Sequence, residues 1–501
     1  MRCCLLLLLM CGILSGREPV KRKLDATYTD KLELLLLTDQ PQIITLKVEN
    51  QGKQISAIWA ETFASIFQYF DYSGDGLLNK VEAAHLPSEF AIRQVLWGQL
   101  NPYFGAAPAF SELDCTKDGL VSPQELENYY RRAGLGGVLV GIGIAPDTQR
   151  LSDALIKSLD TNHDTIVDRS EWDQAATLLA TLDKNGDELI GPGELVERAV
   201  YPGATGTILL SAPKPTSKQS ATIDQFPLMV LPSRLDDIYW QTTLKVRRNA
   251  AKQIQCDSTT IRYTKPAVAW EVSLSDPVSH TKVRKYTHSD ITIDLRMDAG
   301  KLALQTRDSR QRLIGEYSER DTNSDGTLDT NELMVPKASL FQQLLAISDK
   351  DKNNQLSNAE FEAWFKVQQQ IARSHVLVTI IDHGKGLFSY LDTNQDGSLS
   401  LRELRVAKSH FEQKKMIVNN TLDQSKIPHQ LLATVSHGHP LSAIGKPHLE
   451  APDWFLAMDR NSDGDISRKE WIGEPKLFLS LDTDKDQLLS VSEAAKLAIK
   501  K

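Results

Sequence analysis

Between Leu32 and Trp59 the chain reads LELLLLTDQPQIITLKVENQGKQISAIW, two runs rich in β-branched residues on either side of Gln51-Gly52, and this pattern predicts a short hairpin. AETFASIFQYF follows, with Phe63, Phe67 and Phe70 at helical spacing, which predicts a helix with one core-facing stripe. A second β-like texture runs from Thr205 to about Arg307, where TTIRYT, AVAWEVSL and DITIDLRMDAGKLALQT alternate apolar and polar residues and Ala299-Gly300 marks a turn. The polar stretch APKPTSKQSA, Ala212 to Ala221, reads as a linker into it. AGLGGVLVGIGIAP, Ala133 to Pro146, holds no complete phosphate-binding motif and reads as a flexible apolar connector.

Against this background one polar pattern recurs, most clearly in DRNSDGDISRKE, Asp459 to Glu470. Oxygen side chains stand at its first, third, fifth and ninth places (Asp459, Asn461, Asp463, Ser467), glycine at the sixth (Gly464), an aliphatic at the eighth (Ile466) and glutamate at the twelfth (Glu470). A Ca²⁺ ion takes roughly six to eight oxygens at roughly 2.3 to 2.6 Å, so several short polar side chains must turn inward within a few residues. Gly464 permits the positive-φ bend. The carbonyl of Asp465 and a water held by Ser467 add oxygens, and Glu470 closes the shell with both of its own. Ile466 faces the core, where two such loops can join through a short antiparallel bridge. The stretch resembles the EF-hand calcium loop.

Eight further stretches carry the pattern. Asp71 to Glu82 offers Asp71, Ser73, Asp75, Asn79 and Glu82, and Asp114 to Glu125 offers Asp114, Thr116, Asp118, Ser122 and Glu125; hydroxyls at the third place lower the ligand charge. Asp160 to Glu171 supplies Asp160, Asn162, Asp164, Asp168 and Glu171, and Asp183 to Glu194 supplies Asp183, Asn185, Asp187 and Glu194, with Gly191 removing the ninth side chain. Asp321 to Glu332 brings Asp321, Asn323, Asp325, the Thr327 carbonyl, Asp329 and Glu332. Asp349 to Glu360 brings Asp349, Asp351, Asn353, the Gln355 carbonyl, Ser357 and Glu360. Asp392 to Glu403 brings Asp392, Asn394, Asp396, the Ser398 carbonyl, Ser400 and Glu403, and Asp482 to Glu493 brings Asp482, Asp484, Asp486, the Leu488 carbonyl, Ser490 and Glu493. At the sixth place Thr165, Glu188, Asn354 and Gln487 stand where the pattern wants glycine, at about 1 to 2 kcal/mol each for the left-handed bend, less for asparagine.

Only 11 residues separate Glu171 from Asp183, and 11 separate Glu470 from Asp482. A single helix of that length, roughly 17 Å, would hold the two loops of each pair apart and deny them a shared bridge. Nine loops is an odd number for a pairwise fold, and equal spacings of 43 positions between the starts at Asp71 and Asp114 and at Asp349 and Asp392 suggest a duplicated four-loop unit with the loop at Asp321 as an extra.

Composition then narrows the class. The 501 residues are 41% hydrophobic and 24% charged, an ordinary globular balance, and a net charge of -8 gives no basic face for nucleic acid. MRCCLLLLLMCGILSG, residues 1 to 16, has an apolar run from Cys3 to Leu14 that is too short to span a bilayer and reads as a secretory signal. Leu8-Leu9-Met10-Cys11 resembles a lipoprotein box with Met10 where a small residue belongs, so lipidation at Cys11 is the alternative and the only route to a membrane. Removing the signal leaves Cys115 and Cys256, which do not imply a disulfide framework. His280, His288 and Asp290, Asp382-His383-Gly384-Lys385 and His437-Gly438-His439 lack partners at recognisable spacing, so no catalytic residue is assigned and no enzyme is expected.

The resulting expectation is a mainly α protein of repeated EF-hand helix-loop-helix units in two halves with a β-rich domain inserted between them. Its parts are a signal at 1–16, a hairpin segment at 25–59, a first EF-hand region at 60–204, the β-rich domain at 205–312 and a second EF-hand region at 313–501. The resemblance extends to bacterial exported proteins with many EF hands. It implies up to nine Ca²⁺ sites serving structure or buffering in a secreted or envelope protein, with a protein partner at the envelope still to be identified. An adhesion or scaffold module, an enzyme housed in the β-rich domain and an intracellular buffer are the rival readings.

Overall fold

The computed structural model describes residues 31–36, 42–50, 52–100, 105–199, 227–231, 268–274, 284–298, 300–334, 339–440 and 451–498. The signal segment, TTIRYT, His280 and Cys256 lie outside them. Cys115 is exposed and free. No helix among the described residues is long and apolar enough to cross a membrane.

Two five-stranded sheets organise the chain, and they overturn the expectation of a mainly α fold in two EF-hand halves around a separate β-rich insert. In the first sheet Gln42–Asn50 pairs antiparallel with Lys31–Leu36 and with the two-residue arm Lys53–Gln54 across Gly52, while Leu228–Leu231 joins Lys31–Leu36 and Val268–Leu274 runs parallel to Gln42–Asn50. In the second, the order is Val138–Ile144, Val376–Gly384, His429–Ser436, Ile291–Asp298 and Arg284–His288, mixed parallel and antiparallel. Each of the sequence regions expected to stand apart thus lends strands to a shared sheet.

The local reasons are specific. Val138–Ile144, expected as a connector, is a parallel strand in register with Val376–Asp382, where long-range pairing overrides the low strand preference of Gly141 and Gly143. Ile291–Asp298 is a strand, but the KLALQT that follows is not: Leu302 starts a helix running to Arg320. The reversal sits on Gly300, whose φ is +74°, and a Cβ there would lie 2.0 Å from the carbonyl oxygen of His437. Lys301 N–H donates to the His439 carbonyl at 2.7 Å, which fixes the turn against the end of His429–Ser436.

Alternation along the strands divides the sheet faces. Ile291, Ile293 and Leu295 join Val376, Val378, Ile380, Leu431, Ala433 and Val435 in one apolar layer with Leu34, Leu36, Ile44, Leu46 and Val48 of the other sheet. The opposite face of the second sheet is polar yet buried: Thr292, Asp294, Arg296, Thr379, His383, Thr434 and Ser436 are all shielded from water.

The loops are distributed around this sandwich in three cores, and their bridging disagrees with the spacing argument at several points. Leu78 bridges Val121, and Leu328 pairs with Leu356, so the loop at Asp321 is no extra; it is the partner of the loop at Asp349. Both pairs share one core, in which Trp59, Phe63, Phe67 and Tyr130 meet Tyr317, Phe341, Trp364 and Phe365. Ile190 pairs with Leu399, joining the loops at Asp183 and Asp392 from distant parts of the sequence.

The loop at Asp160 has a different partner, a hairpin of Ile417–Val418 with Thr421–Leu422 turned on Asn419 and Asn420, both at positive φ. Leu422 N–H donates to the Val167 carbonyl at 3.3 Å, and Arg169 N–H to that of Asn420 at 3.0 Å. Lys426 Nζ closes this hairpin on the Lys415 carbonyl at 2.8 Å. The odd count is thereby resolved. Finally, the loops at Asp459 and Asp482, expected to be held apart, do pair, through Asp465–Ser467 and Leu488–Ser490. The segment between them is not one helix, because Pro475 opens its helix at the first turn and holds Glu474 extended, so the chain folds back.

Candidate functional site

Each of the nine loops is built by the same backbone logic. Except at Asp183, which a 3₁₀ turn leads into, each opening aspartate directly follows the last turn of an α-helix: Asp71, Asp114, Asp160, Asp321, Asp349, Asp392, Asp459 and Asp482. The ninth residue caps the next helix: Asn79, Ser122, Asp168, Asp329, Ser357 and Ser400 each form a reciprocal capping box with the glutamate three residues on. The sixth residue is left-handed in all nine, including Thr165, Glu188, Asn354 and Gln487 at φ from 59° to 68°.

That bend aims backbone amides at the carboxylates. In the loop at Asp392, Gly397 N–H donates to Asp392 Oδ2 at 3.0 Å, Ser398 N–H to Asp396 Oδ1 at 2.9 Å, Thr393 N–H to Glu403 Oε1 at 2.6 Å and Ser400 N–H to Glu403 Oε2 at 3.0 Å. The pattern repeats at Asp459, with Gly464 N–H on Asp459 Oδ2 at 3.1 Å and Ser467 N–H on Glu470 Oε2 at 2.9 Å. It repeats again where the sixth residue is not glycine: Thr165 N–H reaches Asp160 Oδ2 at 2.8 Å, Glu188 N–H reaches Asp183 Oδ2 at 2.9 Å, Asn354 N–H reaches Asp349 Oδ2 at 3.0 Å and Gln487 N–H reaches Asp482 Oδ2 at 3.1 Å. Carboxylate oxygens of Asp349, Asp351 and Glu360 lie within 4.8 Å of one another, as do those of Asp482, Asp484 and Asp486.

Burial separates the loops. Asp392 is pushed well above the usual carboxylate range by burial and by the neighbouring Glu403 and Asp396, and Glu403 is raised chiefly by burial. In the loop at Asp459, burial raises Asp459 and carries Asp463 to about 7, with Asp465, Asp459 and Glu470 adding repulsion. Hydrogen bonding wins at one acid of the last loop: burial of Glu493 is outweighed by hydrogen bonds from Ser490 and Thr483, which hold it down to about 2, while burial raises Asp486 beside it. Crowded, buried carboxylates with oxygen-only neighbours fit a hard divalent cation, and these residues would hold Ca²⁺.

Contacts also run between loops. Arg402, eleventh in the loop at Asp392, places Nε 2.6 Å from Asp465 Oδ2 and Nη1 3.0 Å from Asp486 Oδ2, tying the last two loops to it. Asn461 Nδ2 donates to the Asp187 carbonyl at 2.9 Å, and Glu188 meets both Ser467 Oγ and Lys469.

Other chemistry-bearing residues converge without a local sequence signal. His429 Nε2 lies 2.6 Å from Asp382 Oδ1, and Lys385 pairs with Asp290 at 3.0 Å, all at one end of the second sheet. The pairings escape a motif reading because only strand register brings these residues together. His288 stacks on Tyr286, and burial lowers His383 to about 4, keeping it neutral. On the polar face, Gln395 Nε2 donates to Asp294 Oδ2 at 2.5 Å, beside a cavity of about 20 Å³ lined also by His383 and Gln430. That space is the size of one water. Burial raises Asp294. The alternation Thr292, Asp294, Arg296 is the one sign in the sequence that this strand has a second, polar inner face.

The family model described as EF hand matches residues 385–406 and 453–472, which enclose the loops at Asp392 and Asp459. No curated protein and no solved structure matches the chain. The expected likeness to exported bacterial proteins is not shown by these comparisons. The chain carries EF-hand motifs at two places, two loops in which burial raises several carboxylates, and these motifs suggest calcium binding.

Proposed function

We propose that the protein binds several calcium ions through its loops and uses them mainly to brace its fold or to buffer calcium, as an exported protein of the cell envelope or exterior. The observation that carries this reading is the set of acids comprising buried Asp392, Glu403 and Asp459 and half-buried Asp463, each raised above its ordinary range because burial and like charge disfavour the ionised form. A divalent cation among them removes that penalty. Bracing is favoured over switching because the hands' apolar faces are already used: Phe388, Phe411 and Met416 are buried with Leu151, Leu155 and Trp172, leaving no methionine-lined groove to open among them. Export is supported by the apolar run from Cys3 to Leu14.

Native mass spectrometry of the purified chain with calcium and with chelator tests the reading. Several bound ions, lost on chelation together with heat resistance, are expected; identical masses in both conditions refute it.

A further inference from the structure

The sixth place of the loop at Asp183 holds Glu188 at φ 64°, a backbone conformation that glycine would adopt without strain. The side chain explains the choice. Its side chain is only 13% exposed and leaves its own loop to meet Ser467 Oγ and, at 3.3 Å, Lys469 Nζ of the loop at Asp459. Ser467 is the ninth residue there, the place at which a loop of this kind holds a ligand water.

A second, independent contact joins the same two loops. Asn461, the third-place ligand of the Asp459 loop, donates its Nδ2 to the Asp187 carbonyl at 2.9 Å and accepts Asp463 N–H on Oδ1 at 3.0 Å, so its amide orientation is set from the neighbouring loop. Asp187 is itself the fifth-place ligand of the Asp183 loop, and its Oδ1 accepts Leu189 N–H at 2.9 Å.

We propose that loop 459–470 is a composite calcium site, in which Glu188 of another hand acts as a positioning residue that orients Ser467 and adds a negative charge beside the ion, so that the two loops fill cooperatively. The inference rests on the calcium reading above. With its hydroxyl hydrogen committed to Glu188 and one lone pair accepting Glu470 N–H at 3.3 Å, Ser467 presents its remaining lone pair to the ligand water. An added carboxylate raises the charge count that tunes affinity in these loops. Filling the Asp183 loop steadies the Asp187 backbone, and through it Asn461. Coupling of this kind is reciprocal, so an ion at either loop tightens the other.

Calorimetric calcium titration of the full chain tests this with Glu188→Gln, Glu188→Gly, Glu470→Gln and the two double variants. Glu188→Gly removes the carboxylate while relieving the bend, which separates the charge from backbone strain. Both Glu188 variants are expected to weaken one site by about five-fold or more. In the Glu470→Gln background, where the composite site is already impaired, they are expected to add little. Affinities unchanged by either Glu188 variant overturn the proposal, as does a loss that persists undiminished in the Glu470→Gln background, which would assign Glu188 to its own loop. Absence of any calcium binding by the unsubstituted chain would instead remove the calcium reading itself.

Discussion

Calcium affinity at the Asp459 loop should depend on pH near neutrality, where ordinary carboxylate ligands are silent. Burial, reinforced by Asp465, Asp459 and Glu470, carries Asp463 in the ion-free loop to about 7 from a usual value of 3.8. The proton stabilises the empty loop and must leave before the ion settles, so the direction is weaker binding as pH falls through 7. With one proton displaced, the apparent affinity is divided by 1 + 10^(7−pH), a factor of about 11 at pH 6 and about 1.1 at pH 8, hence a loss of about ten-fold across that interval. A carboxylate with an ordinary pKa would change affinity by less than about 1.1-fold over the same range. Titration calorimetry at pH 7 in two buffers of different ionisation enthalpy counts the protons released. The unsubstituted chain should release about half a proton more than Asp463→Asn. Equal release by the two would refute the argument that burial has raised this acid.

Further outcomes can be checked on the same protein. Chelation should lower the melting temperature, because ions bound only to the folded state stabilise it by mass action, and an unshifted melt would mean the loops contribute nothing. Glu470→Gln should remove one ion from the stoichiometry or weaken it sharply, since the twelfth-place carboxylate loses its charge; unchanged titration curves would count against that site. Arg402→Gln should destabilise the chain by about 2 to 3 kcal/mol, measured by urea unfolding, because Asp465 is buried and loses its partner while the guanidinium itself is partly exposed. Gly300→Ala should lower the urea midpoint by an amount worth about 1 to 3 kcal/mol, from the left-handed φ and the collision with the His437 carbonyl; a neutral result would show that the turn relaxes without penalty.

What could be read from the sequence was local. The fixed offsets from Asp459 to Glu470 encode the left-handed sixth residue and the inward carboxylates, and both are present in the loop as folded; the reciprocal backbone bonds between Ser467 and Glu470 come in addition. The helix carrying Phe63, Phe67 and Phe70 follows from its stripe alone, running from Ile55 to Phe70. Pairing was not legible, because it depends on which apolar eighth residues meet across the chain: Ile190 finds Leu399, and Val167 finds Leu422. The 11 residues between Glu470 and Asp482 do not form one continuous helix, because Pro475 forces a new start. The second sheet was missed for a related reason. Its glycine-bearing strand Val138–Ile144 has little strand character until Val376–Gly384 lies beside it.

Strand order in that sheet governs when the chain can become stable. Val138–Ile144 has no neighbour until Val376–Gly384 is made, and Ile291–Asp298, though paired early with Arg284–His288, lacks its inner neighbour His429–Ser436 until most of the polypeptide has been made. Such distant pairing is slow to form and leaves unpaired strand edges exposed meanwhile. Synthesis from the N-terminus therefore yields an open intermediate whose middle is unsealed until Ser436 emerges, and any truncation before that residue should leave a chain prone to aggregate.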